Sequence, residues 1–174
     1  LGTVLQQMKD YKHAARPDMQ KFIAQVEVIY NSFEEHKGDD AITVYRNEMI
    51  QKLKSSEQQL KSSFGLLADF LFAAAFDNMQ YFYLSSADHL QKLSELSQQQ
   101  GAHPLITDCA NELLQYIKTP GGVIDNTQYG ILGYADDAYF IQAMLSNLHQ
   151  DGILDSTSCY IDWVKVHAGI DVVF

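Results

Sequence analysis

Cysteine, proline and positive charge are all scarce in this chain of 174 residues. The two cysteines, Cys109 and Cys159, lie far apart and form no Cys-x-x-Cys spacing. That excludes a disulfide framework and a zinc ribbon, and it fits a reducing compartment, so a cytoplasmic location is expected. The prolines number three, Pro17, Pro104 and Pro120, and each stands at the edge of a periodic segment. Twelve Lys and Arg face twenty-two Asp and Glu, a formal net charge of -10. Such a field repels phosphate backbones and anionic membrane surfaces, which argues against nucleic acid as a ligand. The same field speeds encounter with a basic protein partner, and it is also an ordinary means of staying soluble.

Several familiar signatures are missing. The first ten residues lack the basic start and apolar run of a secretory signal, but the chain does not begin with Met, which leaves a processed or truncated N-terminus open. No apolar run is long enough to read cleanly as a membrane span. The nearest, residues 66–84, is interrupted by Asp69, Asp77, Asn78 and Gln80, and a central Asp costs about 2.5–3.5 kcal/mol on insertion. The six histidines are scattered, with no His-Glu-x-x-His pairing and no Glu-x-x-His of the di-metal bundles. A Gly-x-Ser-x-Gly elbow and a phosphate-binding glycine loop are also lacking, which disfavours catalysis by a familiar motif.

What is present reads as helix. With 47% hydrophobic and 20% charged residues, the composition is globular, and the length suits one domain around one core. Val4, Leu5, Met8 and Tyr11 suggest a short first helix. After Pro17, the recurrence of Met19, Phe22, Ile23, Val26, Ile29, Tyr30 and Phe33 every three or four positions predicts an amphipathic one. From Asp40, the thin stripe Ile42, Tyr45, Met49, Leu53, Leu60 and Phe64 predicts a long surface helix packed antiparallel on its neighbour or on another subunit. Residues 66–84 are apolar on every side, which predicts a central core helix. Ser85 or Ser86, with Asp88, reads as the cap of a separate helix ending at Gly101. Further helices are expected after Pro104, from Tyr134 to His149, and from a Ser156 or Thr157 cap onward. The apolar end, Ile170 to Phe174, is expected to dock on the body. The fold expected is all-α, a single-domain bundle of about six to eight helices around a hydrophobic central helix.

Ile124-Asp125, followed by Gly133-Tyr134-Ala135-Asp136-Asp137 and an apolar helix, resembles the signature of the YkvA-like family over residues 121–148. The family's intervening Pro-Asp and Pro are missing here and the spacing is shorter. The resemblance implies a helical hairpin and no particular activity.

Asp136 and Asp137 fall where a helix begins, and carboxylates there meet the positive end of the helix dipole, so capping alone accounts for them. Two further readings stay open. With Tyr134 and Tyr139 the pair is a candidate binding site for a partner or, among the many aromatics, part of a small-molecule pocket of the kind a sensor uses. Asp69 and Asp77, eight positions apart and on roughly one face of the apolar helix, would complete a four-carboxylate divalent metal site if they met Asp136 and Asp137. A metal-dependent hydrolase is the alternative function. The leading expectation is a non-enzymatic, cofactor-free interaction module: an acidic regulatory or inhibitor-type protein for a basic partner, with homo-oligomerisation left open.

Overall fold

The computed structural model describes residues 41–63, 69–119 and 122–174. The two helices expected before residue 40 lie outside the described residues. Within them the chain is helical and contains no strand: α1 (Ala41–Ser63), α2 (Asp69–Ser97), α3 (Pro104–Lys118), a 3-10 turn (Gly130–Tyr134), α4 (Ala135–Gln150) and α5 (Trp163–Val173). All-α is therefore the class, with five α-helices among the described residues.

Over its first half the narrow stripe on α1 packs as its spacing predicts; Leu60 is partly buried and Phe64 lies outside the described residues. Ile42, Tyr45, Met49 and Leu53 are buried, while the intervening Lys, Glu and Gln residues stay largely exposed. Its partner is the neighbouring α2, and the two run antiparallel. Arg46 pairs with Asp88 at 2.9 Å near one end of the hairpin and Lys61 with Asp69 at 3.1 Å near the other.

Two expectations about α2 need correction. It is one helix of 29 residues, about 44 Å long at the standard rise, and it runs straight through the proposed break. Ser85 and Ser86 are buried mid-helix. The Ser86 hydroxyl donates to the Tyr83 carbonyl oxygen at 2.6 Å, one turn back, so it is satisfied inside the helix and caps nothing. Asp88, expected to complete a capping box, is instead paired with Arg46. The second correction concerns the start of the helix, which is not enclosed on every side: Phe70 is 70% exposed and Leu71 47%. Enclosure sets in further along, where Phe82 and Tyr83, Ser85 to Ala87, and His89 and Leu90 are all buried. There α2 is the axis of the bundle and packs against each of the other four helices. No described helix is long and apolar enough to cross a membrane.

Pro104 occupies the first turn of α3, where a missing N–H costs nothing, and the His103 Nδ1 accepts from the Leu105 N–H at 3.2 Å. The last helix starts later than its Ser and Thr suggested. Asp162 caps α5 by accepting from the Lys165 N–H at 3.2 Å, whereas Thr157 and Ser158 are drawn into a turn around the Asp155 carboxylate. The apolar end is helical almost to its last residue. Ile170 and Val173 are buried, and Phe174 meets Tyr139 edge-on at 6.0 Å.

The close approach of α5 to α2 depends on Gly169. A Cβ there would press on the Asn78 carbonyl oxygen and on the Phe82 side chain. Gly169→Ala is therefore expected to destabilise the fold by about 2 kcal/mol or more through overpacking, read as a lower urea midpoint with an unchanged m-value.

Both cysteines are buried, and burial pushes the Cys109 thiol up to about 12. At pH 8 only about one such thiol in ten thousand is ionised, so Cys109 should resist iodoacetamide in the native protein and react fully in denaturant, as counted by intact mass.

Candidate functional site

The loop from residue 122 to the 3-10 turn is folded around one carboxylate. Asp136, in the first turn of α4, sends Oδ2 back across the loop, where it accepts from the Tyr116 hydroxyl at 2.7 Å, the Val123 N–H at 2.8 Å and the Ile124 N–H at 3.2 Å. Gly122 closes the same cluster, because a Cβ there would lie 2.7 Å from that oxygen. Ile124 is thereby fixed in the core. Next along the chain, Asp125 Oδ1 accepts from the Thr127 N–H and hydroxyl at 2.8 and 2.6 Å, which turns the loop towards Gly130. Gly133 then lies against the backbone of Asp125 and Asn126 too closely for any side chain. Ile124, Asp125, Gly133 and Asp136 of the pattern thus each have a local structural task.

Tyr134 is buried, with its ring 5.9 Å from that of Tyr45, and its hydroxyl donates to Glu48 on α1 at 2.9 Å. Asp137 is buried beside Asp136, within reach of the Asn126 side chain. The Asn126 amide is best satisfied when its nitrogen donates to the carbonyl oxygens of Ile124 (3.1 Å) and Gly133 (2.6 Å). Both amide hydrogens are then used, and only the amide oxygen is left for Asp137. A carboxylate cannot donate to it, but a carboxylic acid can.

Burial, and then the negative charge of Asp136, holds the Asp137 carboxyl well above the usual range against an opposing hydrogen bond with the Asn126 side chain, while burial raises Asp136 against the opposing pull of its donors. Among the described residues, Asp136 Oδ1, Asp137 Oδ2 and the buried Tyr83 hydroxyl have no hydrogen-bond partner. Of the two aspartates, Asp137 is held higher and Asp136 carries the donors, so Asp137 is the later to ionise as pH rises. Burial, and then the neighbouring aspartates (Asp137 foremost for Tyr45, Asp136 for Tyr83 and Tyr116), push the hydroxyls of Tyr45, Tyr83 and Tyr116 upward, so all three stay protonated.

The four aspartates are not brought together. Asp69 is exposed and paired with Lys61, Asp77 is exposed on α2, and the other two are inside. Among the described residues no group of three or more His, Cys, Asp or Glu is placed to hold a metal ion. A divalent site built on Asp69, Asp77, Asp136 and Asp137 therefore does not fit this arrangement. Of the binding candidates, Tyr139 lines a surface cleft, whereas Tyr134, Asp136 and Asp137 are buried.

No family model, characterised protein or solved structure matches this chain.

Sequence reasoning missed Tyr116, Asn126 and Glu48, which complete the cluster. They come from three different segments, and none carries a local signal of its partner. A buried polar chain was missed as well: Gln142 on α4 meets the His89 Nδ1 at 3.2 Å and donates from Nε2 to the Ser85 hydroxyl at 3.2 Å. Burial lowers the His89 pKa, so this imidazole is neutral near pH 7.

Proposed function

We propose that this chain is a non-enzymatic interaction module of the acidic regulatory or inhibitor type that binds a basic protein partner in the cytoplasm. The supporting observation is how the charge is divided between inside and outside. From residue 104 to the end there are nine Asp and Glu and two Lys, with no Arg. Two of the nine, Asp136 and Asp137, are consumed in the core. The remaining seven lie outside it, with Asp108, Asp151, Asp155 and Asp171 exposed. Seven outer carboxylates against two Lys leave that half of the bundle a net charge of -5 outside the core, a field that steers and orients a basic partner. The aspartate-rich motif, once a candidate for chemistry, supports a scaffold role in this reading. Kinship with the YkvA-like family is part of the same proposal, and the residues that carry it are those of the clasped loop.

Purification from native cells, with stoichiometry by mass spectrometry, tests the reading. A stoichiometric basic protein that dissociates as salt is raised is the expected result. Recovery of the chain without a partner, or with one whose binding ignores salt, would overturn it.

A further inference from the structure

Where α2 packs on the first turn of α4, three enclosed polar atoms have no partner among the described residues: the Tyr83 hydroxyl, Asp136 Oδ1 and Asp137 Oδ2. Their residues are 0%, 0% and 3% exposed. The other polar atoms around them are committed. Asp136 Oδ2 holds the Tyr116 hydroxyl and two loop N–H groups, and the Ser86 hydroxyl donates to the Tyr83 carbonyl oxygen. The Tyr45 hydroxyl, from α1, lies 3.4 Å from Ser86 Oγ and feels the charges of Asp137 and Asp136 and the neighbouring Tyr83. Asp136 acts in the same way on the Tyr83 hydroxyl. Three helices thus bring the two acids and these hydroxyls to one enclosed place, and an interior polar atom is retained in a fold when something bonds it.

We infer that the Tyr83 hydroxyl, Asp136 Oδ1 and Asp137 Oδ2 form a binding site for a single internal water molecule that ties α2 to α4. The inventory of donors and acceptors selects this ligand. Two carboxyl oxygens seek hydrogens and one hydroxyl has a hydrogen to give, while water offers two hydrogens and a lone pair. About three bonds is the usual complement of an enclosed water. Direct contact cannot do the same, because the Tyr83 hydroxyl carries one hydrogen and would leave one of the two oxygens unbonded whichever it took. A divalent cation is a poorer match, since it takes about six oxygen ligands or more and three unbonded atoms are on offer. Held this way, the acid pair that clasps the loop is solvated from inside the bundle, which offsets the cost of its burial.

High-resolution crystallography of the intact, unsubstituted chain tests the assignment, with crystals kept in sodium chloride compared with crystals soaked in rubidium chloride. The expected result is density for one oxygen atom at hydrogen-bond distance, about 2.5–3.2 Å, from Tyr83 Oη and from both carboxyl oxygens. That density should be the same in both salts and give no anomalous signal at the rubidium edge. Four results would overturn the proposal: direct contact between Tyr83 Oη and a carboxyl oxygen with no density between them, no density at the site at all, separate waters on the two aspartates, or an anomalous peak that marks a monovalent cation. The unsubstituted chain is used throughout, so no outcome depends on whether a variant folds.

Discussion

Replacing Asp136 with alanine should lower the unfolding free energy by about 3–5 kcal/mol, as measured by urea denaturation. The truncation strips the Tyr116 hydroxyl and the Val123 and Ile124 N–H groups of their shared acceptor at once. Each buried donor left without a partner costs about 1–3 kcal/mol, offset in part because a desolvated charge is also removed. Asp136→Asn keeps an oxygen for some of these donors and should cost less, about 1–2 kcal/mol. The loss should appear first in the 122–134 loop, as faster hydrogen exchange at Val123 and Ile124, since those amides are held by the carboxylate itself.

The second large effect is a dependence on pH that runs opposite to the common carboxylate case. Burial and the charge of Asp136 raise the native Asp137 pKa well above that of an unfolded aspartate, which is about 3.9. Below about pH 3.9 both states are protonated and the contribution to stability is fully present. As pH rises, the unfolded chain loses its proton first while the native state keeps it, so stability falls until the native pKa is passed. Each unit of separation is worth about 1.4 kcal/mol. Asp137→Asn holds the neutral form at all pH values. It should raise the melting temperature at neutral pH and flatten the decline that sets in as pH rises past the unfolded value of about 3.9, while changing little below it. An unchanged slope in the variant would place the proton elsewhere.

The helical character of the chain was legible because its apolar residues recur at helical spacing, and the stripe Ile42, Tyr45, Met49 and Leu53 faces inward as that spacing requires. Failures came where one residue type has two physical uses. Ser85 and Ser86 have the chemistry of a cap, but a serine can also bond the carbonyl one turn back, and burial against Gln142 and Tyr45 decides for the second. The start of α2 has the composition of a core helix, yet Phe70 and Leu71 stand outside, because apolarity all round describes what a helix tolerates and not which of its turns are covered.

The site divides in the same way. Asp136 and Asp137 were found at the start of α4, where the helix dipole made carboxylates plausible. Their burial was not foreseen, because the partners that make it tolerable, Tyr116, Asn126 and the loop N–H groups, converge only in three dimensions. Asp69 and Asp77 illustrate the converse. Spacing on one helix face is a property of the sequence, whereas meeting a second carboxylate pair depends on which face the bundle encloses.

We propose that the aspartate motif builds the scaffold while the outer carboxylates of the C-terminal half carry recognition. The most direct measurement is co-purification from native cells of three forms of the intact chain: unmodified, Asp137→Asn, and the triple charge reversal Asp108→Lys, Asp151→Lys, Asp155→Lys. A basic partner should be retained in full by Asp137→Asn and lost by the triple reversal. Retention by a folded triple variant, together with loss from a folded Asp137→Asn protein, would contradict it and return the buried pair to the centre of function.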